Sequence, residues 1–264
     1  MKVAVIGGGP SGMEAALIAC ERGHKVTLFE KEGELGGQLK HADHAKFKWP
    51  LRNFKNYMIR QVKKSAIELV LNADVTPESL KGKDFDHVIV AIGPVPLIPP
   101  IEGIENAKYD FAGDVFVNDR QAEFGENVVI IGGGDIGTET GLYLAETGHK
   151  VFVIEMQSAL CIDATPVHYR VMVEDYWLAE PNFSFAVNAK CTKITDEGVY
   201  YIDESGEEKF AQGDVLLASG MKPQTDLAMS YFGTGIYTTV IGDCDKPGSV
   251  QRAMRTGYEA GVRY

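Results

Sequence analysis

The sequence predicts an α/β protein of two similar domains, each built on a parallel sheet, with the second domain inserted into the first. A glycine-rich turn of the form GGGxxG follows a short aliphatic run at residues 7–12 and again at residues 132–137. Each turn leads into a helical pattern and then into a second aliphatic run that ends in a glutamate. This order is typical of the Rossmann-like βαβ unit, whose first turn binds the pyrophosphate of a dinucleotide.

The first unit begins with a buried-strand run at residues 3–6. Residues 13–20 have helical spacing, and residues 25–29 form the next strand, which Glu30 closes. Three of these glycines form the GxGxxG fingerprint. The first, Gly7, permits the tight bend; the second, Gly9, lets the backbone approach a pyrophosphate; and the third, Gly12, allows the helix to pack closely on the sheet. The acid, about 18 residues beyond the last glycine, is placed to accept hydrogen bonds from ribose hydroxyls.

The second unit repeats this arrangement, with strands at residues 128–131 and 151–154 around a helix at 138–146, followed by Glu155. Two matched units predict two bound dinucleotides, and the simplest chemistry between them is hydride transfer. A 2′-phosphate beside Glu155 would meet a like charge, which at about 4 Å costs about 4 kcal/mol at an effective dielectric near 20. We therefore predict NADH rather than NADPH. The alternatives are two ordinary βαβ units and an acid that merely ends a strand.

The composition fits an enzyme of two domains and disfavours several other classes. The net charge of −11 over 264 residues argues against a nucleic-acid or anionic-membrane partner. No apolar run is long enough to span a bilayer, and glycines break the N-terminal run at once, which favours a first strand over a signal peptide. The four cysteines form no CxxC pair, which argues against a dithiol relay or a four-cysteine iron–sulfur cluster in this chain.

Two further segments invite a functional interpretation. His41, Asp43 and His44 resemble part of a metal site. His41 and His44 could share a helix face, but a third ligand beside them is not evident, and we favour a polar or cofactor-flanking loop. Residues 46–64 combine basic and aromatic residues, which would suit an anionic partner. An apolar stripe at helical spacing within 51–62 instead favours a solvated amphipathic helix.

The remaining strands predict how the two units connect. The runs at residues 88–93 and 215–220 each end in glycine shortly before prolines, as expected of strands that leave a domain. Val75 follows a third strand, where a backbone amide could meet an adenine edge. Asp243 ends the last strand before a helix that begins near Val250, a position suited to a polyol and a polarised ring.

Taken together, these residues resemble the flavoproteins in which one dinucleotide domain is inserted into another. The resemblance is carried by the first turn with its acid, a second glycine turn, two crossing strands and a glycine–aspartate pair, at residues 7–12 with Glu30, 36–38, 91–93, 218–220 and 242–243. Stretches at 36–40, 165–170 and 241–248 are similar to the C-terminal half of old yellow enzyme-like NADH:flavin oxidoreductases, which include enoate, dienoyl-CoA and bile-acid-inducible reductases. Ile92 and Ser219 depart from the family, which usually has threonine at both positions.

The resemblance implies an FAD-binding domain of residues 1–104 and 228–264 and an NAD(H)-binding domain of residues 105–227. The FAD-contacting residues it implies are Gly7, Gly9, Pro10, Ser11, Gly12, Glu30, Lys31, Gly37, Gln38, Val75, Ala91, Gly93, Gly242, Asp243 and Val250. Those for NADH are Gly132, Gly134, Asp135, Ile136, Gly137, Glu155 and Gly220. No catalytic side chain is assigned, because hydride transfer between stacked rings needs orientation and exclusion of water rather than an acid or base.

In the family, an FMN-binding barrel and a 4Fe-4S cluster precede this region. The chain is therefore expected to be a cytoplasmic electron-input module that passes electrons to an FMN/iron–sulfur domain or to a carrier protein. Two alternatives stay open: a complete NADH-dependent enzyme that reduces a separate carrier, free flavin or oxygen, and a non-catalytic module that binds adenine nucleotides for structure alone.

Overall fold

The computed structural model describes residues 1–45, 48–117, 120–162, 164 and 167–263, with the side chains of 121, 122 and 167–172 left undescribed. The chain divides into two compact units, one formed by Met1–Val95 and Met221–Tyr264 and the other by Pro96–Gly220. The second unit is thus an insertion into the first. The predicted α/β class with two Rossmann-like units is confirmed. The predicted boundaries, after residues 104 and 227, lie further along the chain than these.

The elements follow in chain order. The first segment contains β1 (Lys2–Ile6), α1 (Pro10–Glu21), β2 (Lys25–Phe29), α2 (Trp49–Lys64), β3 (Glu68–Val70), α3 (Pro77–Leu80), β4 (His87–Val90) and β5 (Pro94–Pro96). The inserted unit contains β6 (Asp110–Phe111), α4 (Asp114–Val117), β7 (Asn127–Ile131), α5 (Asp135–Glu146), β8 (Lys150–Ile154), α6 (Val167–Ala179), β9 (Phe183–Ala186), β10 (Lys190–Thr195), β11 (Gly198–Ile202), β12 (Glu208–Gln212) and β13 (Asp214–Leu217). The returning segment contains β14 (Met221–Pro223), α7 (Thr225–Met229), β15 (Tyr237–Val240) and α8 (Val250–Gly261).

The first unit is a parallel five-stranded sheet in the order β15-β4-β1-β2-β3. Its strands are covered on both faces, which explains their continuous apolar runs. Val3 and Val5 face one core with residues of α1, α2 and α8. Ala4 and Ile6 face the other core, which includes residues of α3 and α7.

The inserted unit is a second parallel sheet in the order β6-β13-β7-β8-β9. An antiparallel sheet of three strands, β10-β11-β12, contributes Ile194, Val199 and Tyr201 to a core shared with β7, β8 and β13. In both units the pairing brings the carboxyl ends of the central strands to one edge. Ile6 pairs with Phe29, and Ile131 pairs with Ile154, so the glycine turn and the acid of each unit follow neighbouring strand ends.

The amphipathic helix predicted after residue 46 is present as α2. Its first turn contains Pro50, and Met58 and Val62 are buried on the predicted stripe. No helix in the described ranges is both long and apolar enough to cross a bilayer.

Candidate functional site: two clasped glycine turns

The first glycine turn is held against the edge of the first sheet. Gly7 has a φ of +106°, which favours glycine, and its amide donates to the carbonyl of Phe29 at 2.8 Å. A Cβ on Gly7 would overlap the carbonyl oxygen of Ala91, and one on Gly12 would overlap the carbonyl oxygen of Gly7. These two glycines are therefore required by the fold itself, as close helix–sheet packing predicts.

The acid of this unit is tied to the turn by two backbone hydrogen bonds, an arrangement that we call the clasp. The side chain of Glu30 is 6% exposed, and each carboxylate oxygen accepts one backbone hydrogen bond. Oε2 accepts from the amide of Gly8 at 2.7 Å, and Oε1 accepts from the amide of Glu32 at 2.9 Å. A carboxylate offers about four lone-pair positions, so this clasp leaves capacity for ribose hydroxyls. The role of Gly8 was absent from the sequence prediction.

The second unit repeats this clasp closely. Glu155 is 7% exposed; its Oε2 accepts from the amide of Gly133 at 2.6 Å and its Oε1 from the amide of Gln157 at 2.7 Å. The glycine amide and the acid are 22 residues apart in both units. Gly132 also has a φ of +106°, and a Cβ on Gly137 would overlap its carbonyl oxygen.

The match extends to the segment that supports each acid. Asn72 and Asn188 both adopt the left-handed conformation, with φ of 54° and 50°. Their amides donate to the carbonyls of Glu32 and Gln157 at 3.0 and 2.8 Å. The two units therefore share more than a sequence motif, because the whole environment of the acid is duplicated.

The second glycine of each motif behaves differently from the first and third. Gly9 and Gly134 have ordinary φ values of −72° and −70°, so their backbone does not demand glycine. A Cβ on Gly134 would meet no atom within 4 Å, and on Gly9 the nearest atom would be the Cα of Gly37 at 3.8 Å. The space that a side chain would fill is open, as a closely approaching pyrophosphate requires. The residues present thus fit a dinucleotide at each turn.

The neighbouring glycine turn at residues 36–38 lies on the first motif. The amide of Gly36 donates to the carbonyl of Gly8 at 3.0 Å, and a Cβ on Gly37 would lie 2.8 Å from the Cα of Gly9. Gln38 follows in a short 3₁₀ turn. The structure therefore brings this predicted flavin-flanking turn to the phosphate-binding turn.

The C-terminal motif also reaches the first turn. A Cβ on Gly242, whose φ is +69°, would overlap the Oγ of Ser11, and α8, which follows, packs on α1. Oδ1 of Asp243 is buried without a hydrogen-bond partner among the described residues. Burial raises the pKa of this carboxyl, against the effects of the Gly248 amide and Arg252. An unsatisfied buried oxygen is unfavourable, and a bound polyol would satisfy it.

The other predicted site residues lie around these turns. Pro10 and Asp135 begin α1 and α5, Ile136 is the second residue of α5, and Val250 begins α8. Ala91, Gly93 and Gly220 follow the crossing strands β4 and β13, the two glycines having φ of 71° and 102°. Lys31 is exposed beyond Glu30, and the carbonyl of Val75 accepts the hydroxyl of Tyr231 at 2.5 Å. The predicted similarity at residues 165–170 lies outside the described side chains and stays a prediction.

Hydrogen bonds are present at both crossings, where Ile92 and Ser219 stand in place of the family's usual threonines. The hydroxyl of Ser219 donates to the carbonyl of Leu97 at 2.7 Å. The side-chain amide of Gln224 donates to the carbonyls of Ile92 and Gly93 at 3.3 and 3.0 Å. Nothing in the sequence pattern singles out Gln224, which lies far along the chain from its partners.

The segment with metal-like residues contains a buried ion pair. Asp43 is 1% exposed; its Oδ2 lies 2.6 Å from Nζ of Lys55, and its Oδ1 lies 3.0 Å from Nδ1 of His44. Arg52 Nε donates to the carbonyl of Asp43 at 2.9 Å. These contacts fix the loop after the glycine turn at residues 36–38 onto α2. The sequence prediction missed this role.

All four cysteines lie in the described part of the chain as free thiols. Burial raises the pKa of Cys161 and of Cys191 to about 12, and raises that of Cys244. These three thiols are therefore protonated at neutral pH and poorly suited to thiolate chemistry.

The pattern that defines the pyridine nucleotide-disulphide oxidoreductases matches residues 1–240. The chain belongs to this family. Its members bind FAD and a pyridine nucleotide, in agreement with the two turns.

Known proteins place the chain more narrowly. An NADH oxidase of Thermoanaerobacter brockii is 34% identical over 262 residues, which make up 98% of this chain and 40% of that protein. A bilirubin reductase of Mediterraneibacter gnavus is 34% identical over 260 residues, 98% of this chain and 40% of that protein. The solved 2-naphthoyl-CoA reductase in complex with 2-naphthoyl-CoA is 31% identical, with a TM-score of 0.91 over 100% of this chain and 40% of that one.

The predicted resemblance to the FAD- and NAD-binding part of old yellow enzyme-like reductases is thereby confirmed. The chain spans about 40% of the length of these relatives.

Proposed function

We propose that this chain binds NADH at residues 132–137 and FAD at residues 7–12 so that a hydride can pass directly from NADH to FAD, as the electron-input part of a larger reductase. The observation that carries the proposal is the duplicated clasp: in each unit a buried acid accepts from the amide of Gly8 or Gly133, and the space beside the next glycine, Gly9 or Gly134, is open. FAD at the first turn would supply a ring that accepts the hydride. The chain's own residues bind, orient and shield the two nucleotides.

The assignment of FAD to the first unit is supported by two features of that unit. Asp243, whose Oδ1 is unsatisfied, follows Gly242, which packs against Ser11 of α1, and the turn at residues 36–38 contacts the first glycine motif. We propose Asp243 as an acceptor for the ribityl hydroxyls and Glu30 as the acceptor for the adenosine ribose. Because Pro10 lacks an amide hydrogen, the amides of Ser11 and Gly12 would face the pyrophosphate.

The preference for NADH is part of the same proposal. Both oxygens of Glu155 are fixed by backbone amides, so its carboxylate cannot swing away to admit a 2′-phosphate. The next residue, Met156, is 73% exposed and offers no cation. Like-charge repulsion at this position is expected to weaken NADPH binding by two to three orders of magnitude, as about 4 kcal/mol implies.

The electrons must then leave the chain, because its four cysteines form no pair that could accept them. We propose that they pass to an FMN/iron–sulfur region of the kind the family resemblance implies, or to a separate carrier protein. Unpaired cysteines also agree with the reducing cytoplasm, where we place this activity.

The proposal is tested by an anaerobic visible spectrum of the purified protein during titration with NADH and, separately, with NADPH. We expect flavin absorbance that NADH bleaches at a much lower concentration than NADPH. A colourless protein, or a yellow protein that neither nucleotide reduces, would favour the structural-module alternative. Equal bleaching by both nucleotides would refute the role of Glu155.

A further inference from the structure

The segment after β3 lies beside the clasped acid of the first unit. The amide of Ala73 donates to the carbonyl of Glu30 at 2.9 Å, and two residues later comes Val75, whose amide is predicted to meet an adenine edge. This amide has no hydrogen-bond acceptor in the part of the chain that the structure describes. It is therefore available to a ligand whose ribose is bound by Glu30.

The second unit has the same segment but holds it by strand pairing. The amide of Ala189 donates to the carbonyl of Glu155 at 2.9 Å, so Cys191 corresponds to Val75. Cys191 lies in β10 and is paired with Tyr201 of β11. β3, in contrast, is the edge strand of its sheet, and Val75 lies beyond its end and outside any strand. The first unit must fix this segment by another contact.

That contact comes from the returning segment of the chain. The hydroxyl of Tyr231, which lies between α7 and β15, donates to the carbonyl of Val75 at 2.5 Å. The Tyr231 side chain is 3% exposed, and Val75 packs against the core to which it belongs. Burial, followed by the charges of Asp74 and Glu78, raises the pKa of this hydroxyl, so it is protonated and can donate at neutral pH.

We infer that Tyr231 is a positioning residue for the adenine end of FAD, because its hydroxyl holds the backbone whose amide meets the adenine. This inference rests on the proposed function and adds to it a residue outside the glycine motifs. Val75 precedes the inserted unit and Tyr231 follows it. The adenine end of the site is therefore complete only when both segments of the first unit are in place.

The test compares the wild type with Tyr231→Phe, which removes the hydroxyl and keeps the buried ring. The whole chain, freed of flavin by dialysis against potassium bromide, is titrated with FAD and followed by flavin fluorescence. A second titration uses 1,N6-etheno-FAD, in which the N1 and N6 positions of the adenine are bridged and can no longer pair with a backbone amide.

We expect Tyr231→Phe to bind FAD about fivefold more weakly than the wild type, which is the size of effect that one hydrogen bond has. Its affinity for etheno-FAD should equal that of the wild type, since the contact that Tyr231 supports is already lost in this analogue. A purely structural role would weaken the binding of both flavins alike.

Thr239→Val is the matched control. The Thr239 hydroxyl lies on β15 of the same unit and is hydrogen-bonded to Nε2 of His87 at 2.9 Å rather than to the segment of Val75. This variant should leave the affinity for FAD unchanged, while its melting temperature reports the cost of losing a hydroxyl from this unit.

The outcomes separate the inference from the function on which it rests. If NADH bleaches the wild-type flavin but Tyr231→Phe binds FAD as tightly as the wild type, the inference is overturned and the proposed function stands. Equal weakening of FAD and etheno-FAD also overturns the inference alone. A loss confined to FAD, in a protein whose flavin NADH does not reduce, supports the inference and overturns the hydride transfer. If the wild type binds no FAD, both are overturned.

Discussion

Replacing Gly134 with alanine separates what the fold needs from what a ligand needs. The backbone of Gly134 has a φ of −70° and ψ of −172°, which alanine adopts freely, and the added methyl group would meet no atom within 4 Å. Alanine is a poorer N-cap than glycine by up to about 1 kcal/mol, and it stabilises through the unfolded chain by about 0.4–1 kcal/mol. These effects nearly cancel, so the free energy of unfolding should change by less than about 1 kcal/mol.

Nucleotide binding should respond strongly to the same change. A pyrophosphate that approaches the Cα of residue 134 closely would be displaced by the methyl group. Overfilling a packed contact costs about 1–3 kcal/mol, which corresponds to about 5- to 150-fold weaker binding. Titration calorimetry with NAD⁺ measures this, and urea denaturation followed by circular dichroism measures stability on the same samples.

The matched contrast is Gly137→Ala, whose Cβ would overlap the carbonyl oxygen of Gly132 and lie 2.9 Å from the Cβ of Ala218. This variant should lose stability before any ligand is considered. If Gly134→Ala binds NAD⁺ with wild-type affinity, the open space beside Gly134 is not a ligand site.

Asp243, His87 and Asp43 are three side chains with buried polar atoms, and their replacement or titration should have a measurable effect. Asp243→Ala removes the unsatisfied buried oxygen and should lower the FAD retained after dialysis; unchanged flavin content would contradict its role. Burial lowers the pKa of His87 from 6.5 to about 4. Between these two pH values the unfolded chain binds more protons than the folded one. The free energy of unfolding should therefore fall by up to about 3 kcal/mol as the pH drops from 6.5 to 4. Urea denaturation against pH should show this loss for the wild type and a shallower one for His87→Gln. Asp43→Asn deprives Lys55 of its buried partner and should lower the free energy of unfolding, measured by urea denaturation, by about 2–4 kcal/mol. Adding Lys55→Met to Asp43→Asn should recover part of this loss. Equal stability of all three proteins would show that the ion pair does not hold the loop.

Much of the fold could be predicted because its signals are local. The strands of both parallel sheets appear in the sequence as continuous apolar runs, and the glycine turns need a fixed order of residues over a few positions. Even there, α1 begins at Pro10 rather than at the predicted Met13, because its apolar pattern appears only after the turn. The sheet β10-β11-β12 has no such signal, because β10 and β12 mix polar with apolar residues and are largely exposed or half-buried.

The environment of each acid could be predicted only in part. The spacing predicts a carboxylate near the glycine turn, but its backbone partners depend on how the chain returns to the sheet edge. The amides of Gly8 and Gly133 therefore became visible as partners only in three dimensions. The pair between Asp43 and Lys55 was obscured for a similar reason, because adjacent histidines suggested a metal site and the lysine lies on the following helix.

We propose that a hydride passes from NADH in the second unit to FAD in the first. Anaerobic rapid mixing of the flavin-containing protein with NADH, and with NADH carrying deuterium at the transferred position, tests this most directly. We expect NADH to bleach the flavin absorbance, and the bleaching to be slower with deuterium. A protein that retains FAD and binds NADH, yet keeps its flavin oxidised on this timescale, would contradict it.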